Sequence, residues 1–141
     1  MQNTLTFKIV TPEGVTFEDT VHNVTVPTQS GEVGIYANHA PLISLVVPGE
    51  LVIKKTDETI YLSVAHGVLE VRKGNKVIII ADQADHATEI DVEGARKAIE
   101  RAEGGLEKGG LTTAEVETFE KILEAEEAKI KVAENHYQRE K

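Results

Sequence analysis

The groups in this 141-residue chain that could hold a metal or move a proton are five histidines, His22, His39, His66, His86 and His136, and 24 acidic residues. No two histidines have the one-turn or two-residue spacing of a metal pair, so no metal site is expected. Cysteine is absent, which excludes thiol nucleophiles, redox pairs and zinc ribbons together. There is no serine-centred nucleophile elbow, no phosphate loop ending in Lys-Ser or Lys-Thr, and no dinucleotide fingerprint. Gly104-Gly105 and Gly109-Gly110 lack the preceding strand that a phosphate loop needs. Nothing assembles a general acid, a base and a stabiliser, and no catalytic residue is expected.

Two constellations remain. The stretch Gly31-Glu32-Val33-Gly34-Ile35-Tyr36-Ala37-Asn38-His39-Ala40-Pro41-Leu42 carries two glycines, an Asn-His pair and a proline, and reads as a shaped surface loop. It would present Glu32, Tyr36 and His39 outward, and loops of defined contour commonly touch a partner. The second constellation is Asp85, Asp91, Arg96 and Arg101, where acidic and basic groups bracket a change in sequence character. It reads either as local surface ion pairs or as a ligand pocket between domains.

These groups must be positioned by two kinds of element. Upstream of residue 87, short apolar runs at 5–10, 21–27, 34–36, 42–47, 51–54, 60–65, 68–71 and 77–81 alternate with turn formers at 11–14, 47–50, 56–58 and 73–76. Leu5, Phe7 and Ile9 alternate with Thr6, Lys8 and Val10, so one face of that strand meets a core. The run from Val77 to Ile80 is apolar throughout and is expected to be covered on both faces, which calls for a second sheet.

Downstream the period becomes helical. Val92, Ala95, Ile99, Ala102 and Leu106 form one stripe behind an Asp91 N-cap, and the glycines at 104, 105, 109 and 110 are expected to end that helix. Thr112 and Glu115 form a capping box for a second helix with a stripe of Val116, Phe119, Leu123, Ile130, Ala133 and Tyr137, interrupted at Glu126. The fold class is therefore α+β by segregation: an antiparallel β-sandwich over 1–87, then an antiparallel two-helix hairpin over 88–141. Alanine buries little surface, so the hairpin is expected to be weakly held and able to undock.

The net charge of -9 argues against nucleic acid and against direct adsorption to anionic lipid, both of which require clustered cations. No cationic stretch followed by an apolar run opens the chain, and no segment reaches the roughly 20 apolar residues of a spanning helix. Any membrane association is expected to pass through a partner protein.

The loop with His39, the later His66-Gly67-Val68-Leu69-Glu70-Val71 and the Ile90-Asp91 helix start, in that order, resemble the epsilon subunit of the F-type ATP synthase, bacterial type, over the whole chain. The resemblance implies a non-catalytic rotor subunit that couples proton translocation to ATP synthesis and inhibits ATP hydrolysis through its C-terminal helices. It implies that the sandwich binds the gamma subunit and the c-subunit ring, with Glu32, Tyr36 and His39 facing the ring. The extended helices would reach the alpha and beta subunits, with Lys121, Lys129, Lys131 and Arg139 as candidate inhibitory contacts. The implied location is peripheral, on the cytoplasmic face of the inner membrane.

No cofactor is required on this reading. Some members hold ATP against the folded hairpin through a motif of Ile or Leu, Asp, two variable residues, Arg and Ala. Here Ile90-Asp91-Val92-Glu93-Gly94-Ala95 places Gly94 where arginine belongs, leaving Asp85, Asp91 and Arg101 as the remaining candidates. Weak or absent ATP binding is expected, because a bidentate cation is lost. The alternative from a different class is a nucleotide-sensing sandwich and hairpin not tied to a rotor, with its ligand at that junction.

Overall fold

The computed structural model describes residues 3–140. The strands are β1 (Leu5–Thr11), β2 (Gly14–Val21), β3 (Asn23–Thr28), β4 (Gly31–Tyr36), β5 (Leu42–Val46), β6 (Gly49–Lys54), β7 (Thr59–Val64), β8 (Gly67–Arg72), β9 (Lys76–Ala81) and β10 (Ala84–His86). A 3-10 turn, Ala87–Glu89, leads to helices α1 (Val92–Glu107) and α2 (Thr113–Arg139).

Hydrogen bonding runs in the order β10-β7-β6-β3-β5-β8-β9-β1-β2, with β4 on the other side of β3. The corner is β3. Its residues Asn23, Val24 and Thr25 pair with β6, whereas Thr28 pairs with Val46 of β5, so one strand joins two layers. The inner faces of those layers share a single core in which Phe7, Ile9, Val24, Ile35, Leu51, Ile53, Leu62, Leu69 and Ile79 are wholly buried. Each such side chain contributes about 1.5–3 kcal/mol on burial, which makes the sandwich the stable body of the molecule.

Three strand expectations need correction. The pairing of β1 with β9 is parallel, in an otherwise antiparallel sheet, because the crossover from β1 to β9 spans most of the sandwich. β2 was not expected as a strand: Gly14–Val21 is largely exposed, and as an edge it needs only Phe17 and Val21 turned inward. The run from Val77 to Ile80 alternates after all, with Val77 and Ile79 buried and Ile80 56% exposed, so its outer face is uncovered.

The helices begin as the sequence requires. Asp91 accepts a hydrogen bond from the Gly94 amide (3.0 Å), and Thr112 and Glu115 exchange the two bonds of a capping box (3.0 and 3.1 Å). The Thr112 amide donating to it, and secondarily the Thr112 side chain, hold the Glu115 carboxyl below its usual range. The end of α1 differs from expectation. Gly104 and Gly105 lie inside the helix, and it stops only where Gly109 and Gly110 turn to positive φ. Gly105 is there for close approach: a Cβ on it would lie 2.5 Å from the ring of Phe119 on α2.

α1 packs on α2, and α2 in turn lies across β6, β7 and the 3-10 turn. The α2 stripe holds in part. Val116, Phe119, Leu123, Ile130 and Ala133 are half-buried, but Tyr137 is exposed and Val132, outside the stripe, is the buried residue of this helix. Residues Ala125, Lys129, Val132, His136 and Arg139, spaced three and four apart, make a second face turned to the sandwich. No described helix is long and apolar enough to cross a membrane.

Candidate functional site

The segment from Gly31 to Leu42 divides into a strand and a turn. Residues 31–36 pair along their whole length with β3, from Thr28 opposite Gly31 to Asn23 opposite Tyr36. Alternation buries Ile35 and sends Glu32, Gly34 and Tyr36 outward on one face of an edge strand. Of the two glycines, Gly31 takes a positive φ of 107° in the hairpin turn, whereas Gly34 is ordinary strand with the Tyr36 ring against it. Asn38 takes the left-handed conformation (φ 68°), and the His39 amide donates to the Tyr36 carbonyl at 3.2 Å to close the second turn.

His39 Nδ1 donates to the carbonyl of Ala40 (2.7 Å), and the Asn38 amide donates to Asn75 Oδ1 (2.6 Å), which ties this turn to the β8–β9 hairpin. Glu32 sits at the other end of β4, four residues and roughly 13 Å from Tyr36 along a strand. There it lines a cleft of about 720 Å³ between α2 and the sandwich, together with Pro27, Val47, Glu50, Lys131 and Val132. Glu32, Tyr36 and His39 thus mark the length of one sandwich edge.

A larger feature lies on the outer face of the second layer. Val15, Val10, Ile80, Val68 and Leu45 are register neighbours on β2, β1, β9, β8 and β5, so they form one apolar row crossing five strands. Ile43, 71% exposed, stands beside Leu45 at 54%. The sequence signal was there in the stretch 42–46, which is apolar on both faces apart from Ser44. A run of that kind can meet either a second layer of the chain or a partner outside it, and alternation alone does not distinguish the two. An exposed apolar row of this extent marks an interaction surface.

At the strand-to-helix junction the three candidate ligand-binding residues have separate tasks. Asp85 on β10 faces Lys129 of α2 at 3.9 Å, and Lys129 is also held by Glu126 at 3.2 Å. That neighbour explains the carboxylate in the α2 seam. Asp91 is occupied as the α1 cap, and Arg101 is exposed on α1 with no ion pair among the described residues. The cleft beside Asp85, about 480 Å³, is lined by Glu13, Asp82, His86 and Glu89 and by no lysine or arginine; Asp91 and Arg101 do not line it. No group of three or more potential metal ligands occurs among the described residues.

The four helix cations also divide. Lys121 and Lys131 are exposed, whereas Lys129 is engaged as above. Arg139 grips both carboxylate oxygens of Glu50 on β6 (2.8 and 3.1 Å) and lies 3.9 Å over the Tyr61 ring of β7. The hydrogen bonds to Glu50 raise the Arg139 pKa above its ordinary value.

Comparison with known proteins places this architecture. Residues 4–87 match the family model of the ATP synthase delta/epsilon chain β-sandwich domain. The chain belongs to the ATP synthase epsilon family. It is similar to the ATP synthase epsilon chain of Persephonella marina, 38% identical over 89% of this chain and 93% of the relative. It is also similar to the epsilon chain of Staphylococcus aureus, 40% identical over 94% and 98%. Epsilon chains are non-catalytic subunits of ATP synthase, which accords with the lack of a catalytic constellation in the sequence. The fold is shared with a chain of the Euglena gracilis mitochondrial ATP synthase, OSCP/F1/c-ring (TM-score 0.73, 22% identity, 91% of this chain and 80% of that one). A chain of the Tetrahymena thermophila mitochondrial ATP synthase central stalk and c-ring also shares it (TM-score 0.60, 16% identity, 92% and 96%). In this epsilon-family chain the sandwich edge and most of the apolar row are exposed, whereas the α2 contacts are made within the chain.

Proposed function

We infer that this chain is the central-stalk rotor subunit of an F-type ATP synthase, coupling proton translocation to ATP synthesis and restraining ATP hydrolysis through its helices. The observation that carries this is the apolar row Val15, Val10, Ile80, Val68 and Leu45, since a row that crosses five strands, with all but the half-buried Val10 exposed, costs solubility unless a partner covers it. The gamma subunit is that partner. Replacing Leu45 and Ile80 by aspartate removes co-purification of gamma while leaving the fold intact, because both side chains already face water. Undiminished recovery of gamma with the double variant overturns the assignment.

The edge strand carrying Glu32 and Tyr36, with His39 in its turn, rests on the polar loops of the c-subunit ring. Support comes from its exposure along a free sheet edge. A cysteine in place of Glu32 should cross-link to the ring, and its failure to do so removes this contact. The subunit would sit on the cytoplasmic face of the inner membrane and reach that membrane only through the complex. With the helices extended, Lys121, Lys129, Lys131 and Arg139 would face the alpha and beta subunits. Truncation after residue 87 should then raise ATP hydrolysis.

ATP binding to the isolated chain is weak or absent. Gly94 supplies no cation, and the cleft at Asp85 is walled by carboxylates that repel a polyphosphate. Calorimetry finding micromolar affinity overturns this. Arginine at 94 would not simply restore a site, because a Cβ there lies 2.5 Å from Asp91 Oδ2 and pushes the cap aside.

A further inference from the structure

The face that α2 turns to the sandwich is Ala125, Lys129, Val132, His136 and Arg139, and only Val132 in that row is a large aliphatic side chain. α1 adds little to the attachment, since it packs on α2. What fixes the helix is a set of charged and aromatic contacts: Glu124 to His66 (3.3 Å), Lys129 to Asp85 (3.9 Å), His136 beside Tyr61 (6.0 Å between rings), and Arg139 on Glu50 and Tyr61. Of these, the Arg139 contact is the strongest by geometry. It is bidentate, stacked on an aromatic face and partly desolvated, and it closes the far end of a 27-residue helix onto residues 89 and 78 positions earlier in the chain.

We propose that the Arg139–Glu50–Tyr61 contact is the latch that sets how often the helical hairpin leaves the sandwich, and that docking withholds the very cations the extended helix would use. Arg139 and Lys129 cannot bind Glu50 and Asp85 and at the same time face the alpha and beta subunits. Only the exposed Lys121 and Lys131 remain available in the docked state. Docking and inhibition are thus alternatives for the same charges. Val132 is the only large aliphatic side chain of that face, so loss of the ion pair weakens the attachment, which the remaining polar contacts hold only in part. The latch stands on the contacts of the chain itself, while its link to inhibition rests on the function proposed above.

Amide exchange on the full isolated chain tests the latch. Arg139→Gln and Glu50→Gln should each speed exchange over residues 125–139 by roughly tenfold, and the double variant should add little beyond either, since both remove one contact. Arg139→Lys keeps the charge but loses the fork and the stacking, and should recover only part of the protection. Sandwich amides should be unchanged in all four, which separates undocking from unfolding. Exchange over 125–139 within twofold of the parent in both single variants overturns the latch. In the assembled enzyme, Glu50→Gln frees the helix with every cation intact and should lower ATP hydrolysis. Faster exchange with unchanged hydrolysis leaves the latch standing and overturns the inhibitory reading.

Discussion

The sandwich and the hairpin fold by different means. In the sandwich, large side chains such as Phe7, Ile53, Leu62 and Ile79 are wholly buried in one core drawn from both layers. In the hairpin the buried residues are Ala95, Ala102 and Val132; the two helices meet where Gly105 lies against Phe119, and ion pairs tie α2 to the sandwich. One region carries its stability in apolar area; the other is held by contacts that water and foreign charges can replace. The function proposed above uses both, a head that stays rigid under load and a tail that can change position.

This contrast breaks most visibly if a core truncation leaves the head intact. Ile79→Ala should cost the sandwich about 2–5 kcal/mol by chemical denaturation and take the hairpin down with it. Val132→Ala, in the hairpin, should leave the main denaturation midpoint nearly in place and show itself in amide exchange of α2. Equal losses from both substitutions would erase the distinction.

A finer contrast lies inside α1. A methyl at Gly105 meets the Phe119 ring, so Gly105→Ala should loosen the helix pair by about 1–3 kcal/mol of overpacking, offset in part by helix propensity. Gly104 faces open space, and Gly104→Ala should stabilise α1 by up to about 1 kcal/mol. Helicity by circular dichroism should move in opposite directions for these neighbours.

Smaller again is the α2 cap. Thr112→Ala should cost about 0.5–2 kcal/mol of local helix stability, visible as faster exchange at the start of α2. The Glu115 carboxyl is held below its usual range by the Thr112 hydrogen bonds, so its contribution is complete above the ordinary carboxylate range. It is lost as pH falls through the lowered folded value. Helicity that is insensitive to acid in the parent, or equally sensitive in Thr112→Ala, would contradict this.

Much of the molecule was legible because its signals are local. The Thr112–Glu115 box, the Asp91 cap, the left-handed Asn38 and the hairpin turn at Gly74 and Asn75 each depend on a few neighbouring residues. The order of strands followed by helices came from composition and period alone, as did the absence of thiol chemistry. Tertiary structure decided what periodicity cannot. Ile80 and Leu45 are as apolar as Ile79 and Val46, and only the layer they face makes them a surface. Gly105 reads as a helix breaker until Phe119 lies against it. Glu126 reads as a flaw in the seam until β10 brings Asp85 to Lys129, the lysine that Glu126 also holds, and Arg139 reads as a free cation until β6 and β7 bring Glu50 and Tyr61 beneath it. Backbone propensity acts over one turn or one hairpin, whereas burial and charge pairing depend on segments tens of residues away, so the sequence named the elements and the packing chose their faces.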